Sequence, residues 1–205
     1  MAVVNGYCTT AELRTHLGDS GSALTTELLE RAINSTSRAI DRYCQRRFWQ
    51  DAAVAVRTYT CNDALEVYVD DISTRTGLVV KTGTDGATFG TTWASTDYSL
   101  EPRNADVVGS GSTADPYAFW KLVAIAGRSF NVMGSRPTLQ VTARFGWSAV
   151  PYEVNEAAVL KAASLFKRKD SPNGVAGFGE FGVVRIGKND PDVVELLTPF
   201  KVPVA

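Results

Sequence analysis

The residue types that most often carry chemistry are sparse in this chain. His16 is the sole histidine. It falls in AELRTHL, a short capped surface helix by pattern, and one imidazole cannot build the histidine-rich sets that many hydrolases and metal sites use. The cysteines Cys8, Cys44 and Cys61 are odd in number and far apart, with no CxxC. They read as three thiols in a reducing compartment, and neither a disulfide framework nor a zinc site is expected. Asp70 and Asp71 are adjacent. Neighbouring residues of a strand point to opposite faces, so a turn after an edge strand is the expected setting rather than a shared carboxylate site. Gly177, Gly179 and Gly182 spell GxGxxG. A dinucleotide fingerprint needs a strand before it and a helix opening on the glycines. Here a helix and a loop come first and the strand-like VVRI follows, so a flexible glycine-rich segment is the expectation. Neither a GxSxG nucleophile elbow nor a P-loop occurs. No catalytic residue, cofactor site or metal site is expected.

Two basic clusters remain, Arg46-Arg47 and Lys167-Arg168-Lys169. Both stand at the ends of predicted helices, where cations complement the macrodipole. Contact with an acidic partner or with phosphates is the other reading. The first two helices also raise helix-turn-helix DNA binding. The connection from Gly18 to Thr25 exceeds the usual three or four residue turn, and the second helix is too long for that motif.

The elements that must position these residues divide by period. Thr9 with Glu12 forms a capping box and Gly18 a stop, which predicts a first helix. A second helix is predicted from Thr25 or Thr26 to about Phe48. Leu28, Leu29, Ala32, Ile33, Thr36, Ala39, Ile40 and Tyr43 form its apolar stripe. Its other face carries Glu27, Glu30, Arg31, Asn34, Arg38, Asp41 and Arg42. From Val54 to Trp147 the period becomes two. VRTYT, LEVYVDDI, GLVVKT, ATFGTTW, YSLEP, YAFWKLVAI and TLQVTARFGW read as strands, with Asp85-Gly86 as a hairpin signal. Trp49, Trp93, Trp120 and Trp147 fall in or beside this part and read as core or interface aromatics. Helix returns at Pro151, with Ala157, Ala158, Ala162 and Ala163 suited to close packing on another helix. A glycine-rich stretch follows. The last predicted element is a short helix with Asp190 as N-cap and Pro191 at its first position.

The expected fold is therefore α+β, a helical body with a long second helix, a large β-rich insert and a C-terminal extension. Its parts are residues 1–50 and 148–170 for the body, 51–147 for the insert and 171–205 for the extension. The 205 residues can bury a substantial core, and a hydrophobic fraction of 44% with 21% charged residues excludes wholesale disorder. The apolar runs are far shorter than the ~20 residues that span a bilayer. MAVVNGYCTT lacks the basic start and long apolar run of a signal peptide, so neither leader nor membrane is expected.

Several strings resemble the head-to-tail adaptor (connector) proteins of long-tailed phages, particularly those of actinobacterial phages. They are CTTAELRTHLG, the helix ending RAIDRYCQRRFW, DYSLEP, and the long run from VTARFGWSAVPYEVNEAAVL to DPDVVELLTPF. The likeness is strongest over 141–200 and loosest over 51–136. It implies a structural protein rather than an enzyme. The implied assembly is a ring, with a dodecamer as the expected form, beneath the portal at the capsid–tail junction of the virion. The protein would pass through the host cytoplasm during assembly. The implied partners are other copies of the chain, the portal, and a stopper or tail-terminator protein on the opposite face. Genome DNA would pass through the lumen without specific binding. The resemblance also implies a C-terminal segment that engages the portal, with Phe178, Phe181, Val183, Val184, Ile186, Leu196, Leu197 and Phe200 as its apolar contacts. Five glycines between Gly174 and Gly187 raise the entropy cost of ordering it, so residues 171–205 are expected to be mobile alone and ordered on the partner. Alternatives are a neck stopper or head-completion protein, a small terminase-like packaging protein, and a small virion-associated hydrolase.

Charge decides between conduit and DNA binder. The chain holds 22 acids and 21 bases. Residues 51–110 alone carry nine acids against four bases. Affinity for duplex DNA comes mainly from neutralised phosphates, and this balance offers few. In a filter-binding assay near physiological salt we expect no stable duplex binding. A micromolar or tighter, steeply salt-dependent affinity would favour the terminase alternative.

Overall fold

The computed structural model describes residues 2–19, 24–106, 116–167, 175–176, 184–185 and 190–202. It is an α+β protein with two compact units. One comprises Met1–Arg46 with Val150–Ala205, and the other Arg47–Ala149.

The first unit is helical. Helix α1 spans Thr10–Leu17, capped by Thr9 and Glu12 in a reciprocal box and ended by Gly18 at φ 72°. Helix α2 spans Thr26–Cys44, and α3 spans Tyr152–Lys167. Helix α4 spans Pro191–Leu197, with the Asp190 side chain accepting the Asp192 backbone N–H, and runs into a 3-10 turn over Thr198–Phe200. The predicted alanine face is the packing face of α3: Ala157, Ala158, Ala162 and Ala163 are all buried. Small side chains let helix axes approach closely, and α2, α4 and α1 all pack on α3.

Helix α2 stops earlier than its pattern predicts. Gln45 adopts φ 56°, a left-handed conformation that ends the helix. The physical reason lies three residues after Gln45: Phe48 is fully buried, with its ring 5.3 Å from that of Trp147.

The N-terminal segment shows a second difference. Asn34, Arg38 and Asp41 read as a solvated helix face, but with Ser37 they bind residues 2–7. Asn34 accepts the Val4 N–H at 2.9 Å and donates to the Ala2 carbonyl at 3.0 Å. Ser37 accepts the Tyr7 N–H at 3.0 Å, Arg38 donates to the Asn5 carbonyl at 2.9 Å, and the Tyr7 hydroxyl donates to Asp41. Positions 34, 37, 38 and 41 share one helix face; the first three pair backbone groups of the segment and Asp41 takes its tyrosine hydroxyl.

The second unit holds seven strands in two antiparallel sheets. They are β1 Ala55–Tyr59, β2 Glu66–Ile72, β3 Val79–Thr82, β4 Thr91–Trp93, β5 Tyr98–Glu101, β6 Phe119–Ala124 and β7 Leu139–Ala143. One sheet is ordered β1-β7-β3-β4 and the other β2-β6-β5. Alternation gives them one shared core. Leu139, Val141 and Ala143 of β7, Val80 of β3 and Trp93 of β4 meet Val67, Val69, Leu100, Phe119 and Leu122 of the other sheet. Asp85 and Gly86 lie in the turn of the β3–β4 hairpin, as their pairing predicts, with Gly86 at φ 78°. Trp93 and Trp147 are core residues; Trp49 and Trp120 are half-buried.

At its base the unit closes on itself. The Asp51 N–H donates to the Phe145 carbonyl at 2.8 Å, and Gly146 lies against the Trp49 carbonyl. Gly146 has φ 104°, and a Cβ there would stand 1.9 Å from the Trp49 oxygen. Gly127, at φ 75°, has nothing within 4 Å of that position. Gly146→Ala is therefore expected to cost about 3 kcal/mol or more in urea unfolding, because strain and clash add. Gly127→Ala, with strain alone, is expected to cost about 1 kcal/mol.

Candidate docking surfaces

The carboxylates and thiols singled out in the sequence do not form a reactive centre. Asp70 and Asp71 lie within β2 itself rather than in a turn, beside an irregularity between Tyr68 and Ile72. They do face different surroundings. Asp71 is buried and accepts the Trp147 indole N–H at 3.0 Å. Asp70 accepts the Tyr59 hydroxyl at 2.9 Å and pairs with the Arg57 guanidinium at 2.8 Å. The Arg57 guanidinium also lies 3.9 Å from the centre of the Phe145 ring. This group bonds the edge strand of one sheet to the edge strand of the other and is structural. Burial, then the Asp70 charge, raises the Tyr59 phenol, so it stays protonated.

All three cysteines are buried. Burial, with Glu12 close by, pushes the Cys8 thiol up to about 12. Burial pushes Cys44 up to about 11 and raises Cys61. Thiols held neutral are poor nucleophiles and poor metal ligands. His16 is exposed on α1. Among the described residues there is no group of three or more potential metal ligands, and no helix is long and apolar enough to cross a membrane.

The C-terminal contact residues divide. Phe178, Phe181, Val183 and Ile186 lie outside the described residues, as does the glycine motif. Val184 lies in β9 (Val184–Arg185), which pairs antiparallel with β8 (Val175–Ala176). Leu196 and Phe200 are half-buried, while Leu197 is 2% exposed. Here the structure corrects the expectation of one extension mobile from 171 to 205. The described part, 190–202, is seated on α2 and α3. Val193 and Leu197, one helical turn apart, turn inward beside Ala39, Ile40 and Tyr43 of α2 and Lys161 of α3. The remaining gap is about 30 Å³, water-sized rather than ligand-sized. The Val202 N–H donates to the Cys44 carbonyl at 3.1 Å, and the Lys201 ammonium lies 4.2 Å from the Tyr43 ring centre. The i,i+4 spacing of Val193 and Leu197 carried this signal; without a view of α2 it reads equally as a face for a partner.

Three surfaces escaped the sequence reading. On the sheet β2-β6-β5, Tyr68 is 46% exposed and stacks on Trp120 with centroids 5.9 Å apart and planes 4° from parallel. Lys121, bonded to Glu66 at 3.0 Å, flanks that ring. On the helical unit, Tyr152 is 72% exposed in the first turn of α3. An open groove of about 330 Å³ lies between the first half of α2 and the end of α3, lined by Leu28, Arg31, Ala32, Ser35, Leu165 and Phe166. Strand alternation and helix period assign such residues to a surface without saying which surface has a partner.

No family model and no curated protein matches the chain. Solved structures do. A chain in the neck of an empty GTA particle, computed with C6 symmetry, matches with a TM-score of 0.55 at 19% identity, over 100% of this chain and 95% of that one. A chain in the neck of a native GTA particle, computed with C12 symmetry, matches with a TM-score of 0.52 at 19% identity, over 100% and 94%. A chain in the virion of a native gene transfer agent particle matches with a TM-score of 0.52 at 19% identity, over 100% and 95%. At this identity the likeness establishes the fold.

The seat of α4 gives a direct check. Leu197→Ala empties a buried site and is expected to cost roughly 2–5 kcal/mol in urea unfolding. Leu196→Ala, on the half-exposed side of the same helix, is expected to cost less than about 1 kcal/mol. Equal costs would place α4 off its seat.

Proposed function

We propose that this protein is a structural component of the neck of a phage-like particle, an adaptor ring between the portal and the tail-proximal neck proteins that continues the DNA channel. The observation that carries this reading is the likeness over the whole chain to chains in particle necks solved with six-fold and twelve-fold symmetry. The C12 neck favours twelve copies. The resemblance of the run from Val141 to Phe200 to phage connectors supports the same role. The chemistry agrees with it. The thiols are buried and held neutral, and the paired carboxylates are engaged in structural bonds.

In this reading the segment with Phe178, Phe181, Val183, Val184 and Ile186 engages the portal. Helix α4, held by Leu197, fixes that segment's downstream end to the ring body. Leu196 and Phe200 flank the anchor. The near balance of acids and bases suits a conduit, since a channel that neutralised many phosphates would retain the DNA it must pass. A neck stopper is the nearest rival. It differs in binding below such a ring rather than to the portal itself.

The test is electron microscopy of the full chain mixed with purified portal rings. The expected image is a second ring stacked on the portal with an open lumen. Portal rings that stay bare while the chain binds a separate adaptor ring would replace this reading with the stopper.

A further inference from the structure

We propose that Tyr152 of one copy inserts into the groove formed by Leu28, Ala32, Leu165 and Phe166 of the next copy, a head-to-tail contact that builds the ring. This deepens the adaptor reading and rests on it for the closure into a ring.

Tyr152 is the most exposed of the large hydrophobic residues in the described chain, at 72%. Its ring stands at the first turn of α3, the packing centre of the helical unit, and is flanked by the exposed carboxylates Glu153 and Glu156. An aromatic with a polar tip on a charged rim is the side chain most suited to a protein–protein contact. The groove has the complementary character. Its floor is apolar, with Leu165 left 43% exposed, and its rim carries Arg31 and Ser35, both exposed. At about 330 Å³ it has room for an aromatic side chain. Acids flank the projection and a base flanks the recess, so the two surfaces attract one another and repel their own kind.

The two surfaces cannot meet within a chain. Tyr152 opens α3 and Leu165 nearly closes it, so the rigid helix holds them roughly 20 Å apart. They can meet only between copies. The contact then joins two different surfaces, and repeating such a heterologous contact generates a closed ring or an open filament.

The experiment uses the full chain in two separate variants that both keep Tyr152, Glu153→Cys and Ser35→Cys, mixed and oxidised mildly. The native cysteines are all buried and do not compete. A disulfide-linked dimer is expected in the mixture and not in either variant alone. Absence from the mixture, or equal dimer in a single variant, overturns the proposal. A second pair of variants guards against local damage. Arg31→Glu is expected to weaken self-association roughly tenfold. Glu153→Lys with Glu156→Lys in the same chain is expected to restore it; failure to restore it overturns the pairing. Electron micrographs separate the two levels of the argument. Closed rings without the cross-link overturn this contact and leave the adaptor reading intact. The cross-link in open filaments supports the contact and counts against the adaptor ring.

Discussion

The structure depends on one packing contact, the alanine face of α3 against α2. The two helices come from chain segments separated by the whole β unit, so nothing local brings them together. What holds them is close approach. Ala157, Ala158, Ala162 and Ala163 of α3 are buried, as are Leu29, Ile33 and Ile40 of α2, and small side chains on one helix let the two pack closely. Helix α1 and helix α4 then pack on what this pair creates. Neither has enough turns to be stable alone. Exposed features at opposite ends of α3 also gain fixed geometry from this contact, because both are carried on a helix that cannot bend within the bundle.

The α+β class was legible because each element had an unambiguous period. The alternation through LEVYVDDI and TLQVTARFGW can be satisfied only by strands with one face buried, and Val67, Val69, Val141 and Ala143 are buried accordingly. The capping box at Thr9 and the Asp190-Pro191 start were readable because caps act over three residues. What escaped was every case in which a polar or apolar face meets a segment distant in sequence. Asn34, Arg38 and Asp41 look solvated until residues 2–7 lie beside them. Val193 and Leu197 look available until α2 and α3 receive them. The end of α2 is not legible because the tilted contact of Phe48 with Trp147 joins positions far apart in the sequence.

The candidate surfaces were harder to read than the fold for a related reason. Catalytic sites announce themselves by rare residue types at fixed spacing. A docking surface is built of Tyr, Leu, Arg and Glu, the same residues that cover any helix. Only exposure distinguishes Tyr152 from the other aromatics, and exposure is a property of the packed chain. The resemblance over 141–200 pointed to an assembly role through strings of residues rather than through a chemical signature.

The self-closing base of the β unit has a consequence for how the helical unit forms. Trp49 and Gly146 touch, and Asp51 bonds Phe145. Once that unit is folded, the helical unit no longer has to close a loop of roughly a hundred residues to bring α2 and α3 together. Its effective loop is only a handful of residues, which lowers the closure entropy by about 2.5 kcal/mol. The β unit thereby acts as an internal clamp on the chain that surrounds it. By the same argument the closure cost to the helices depends on how near the ends of the inserted unit lie, not on how many residues it holds.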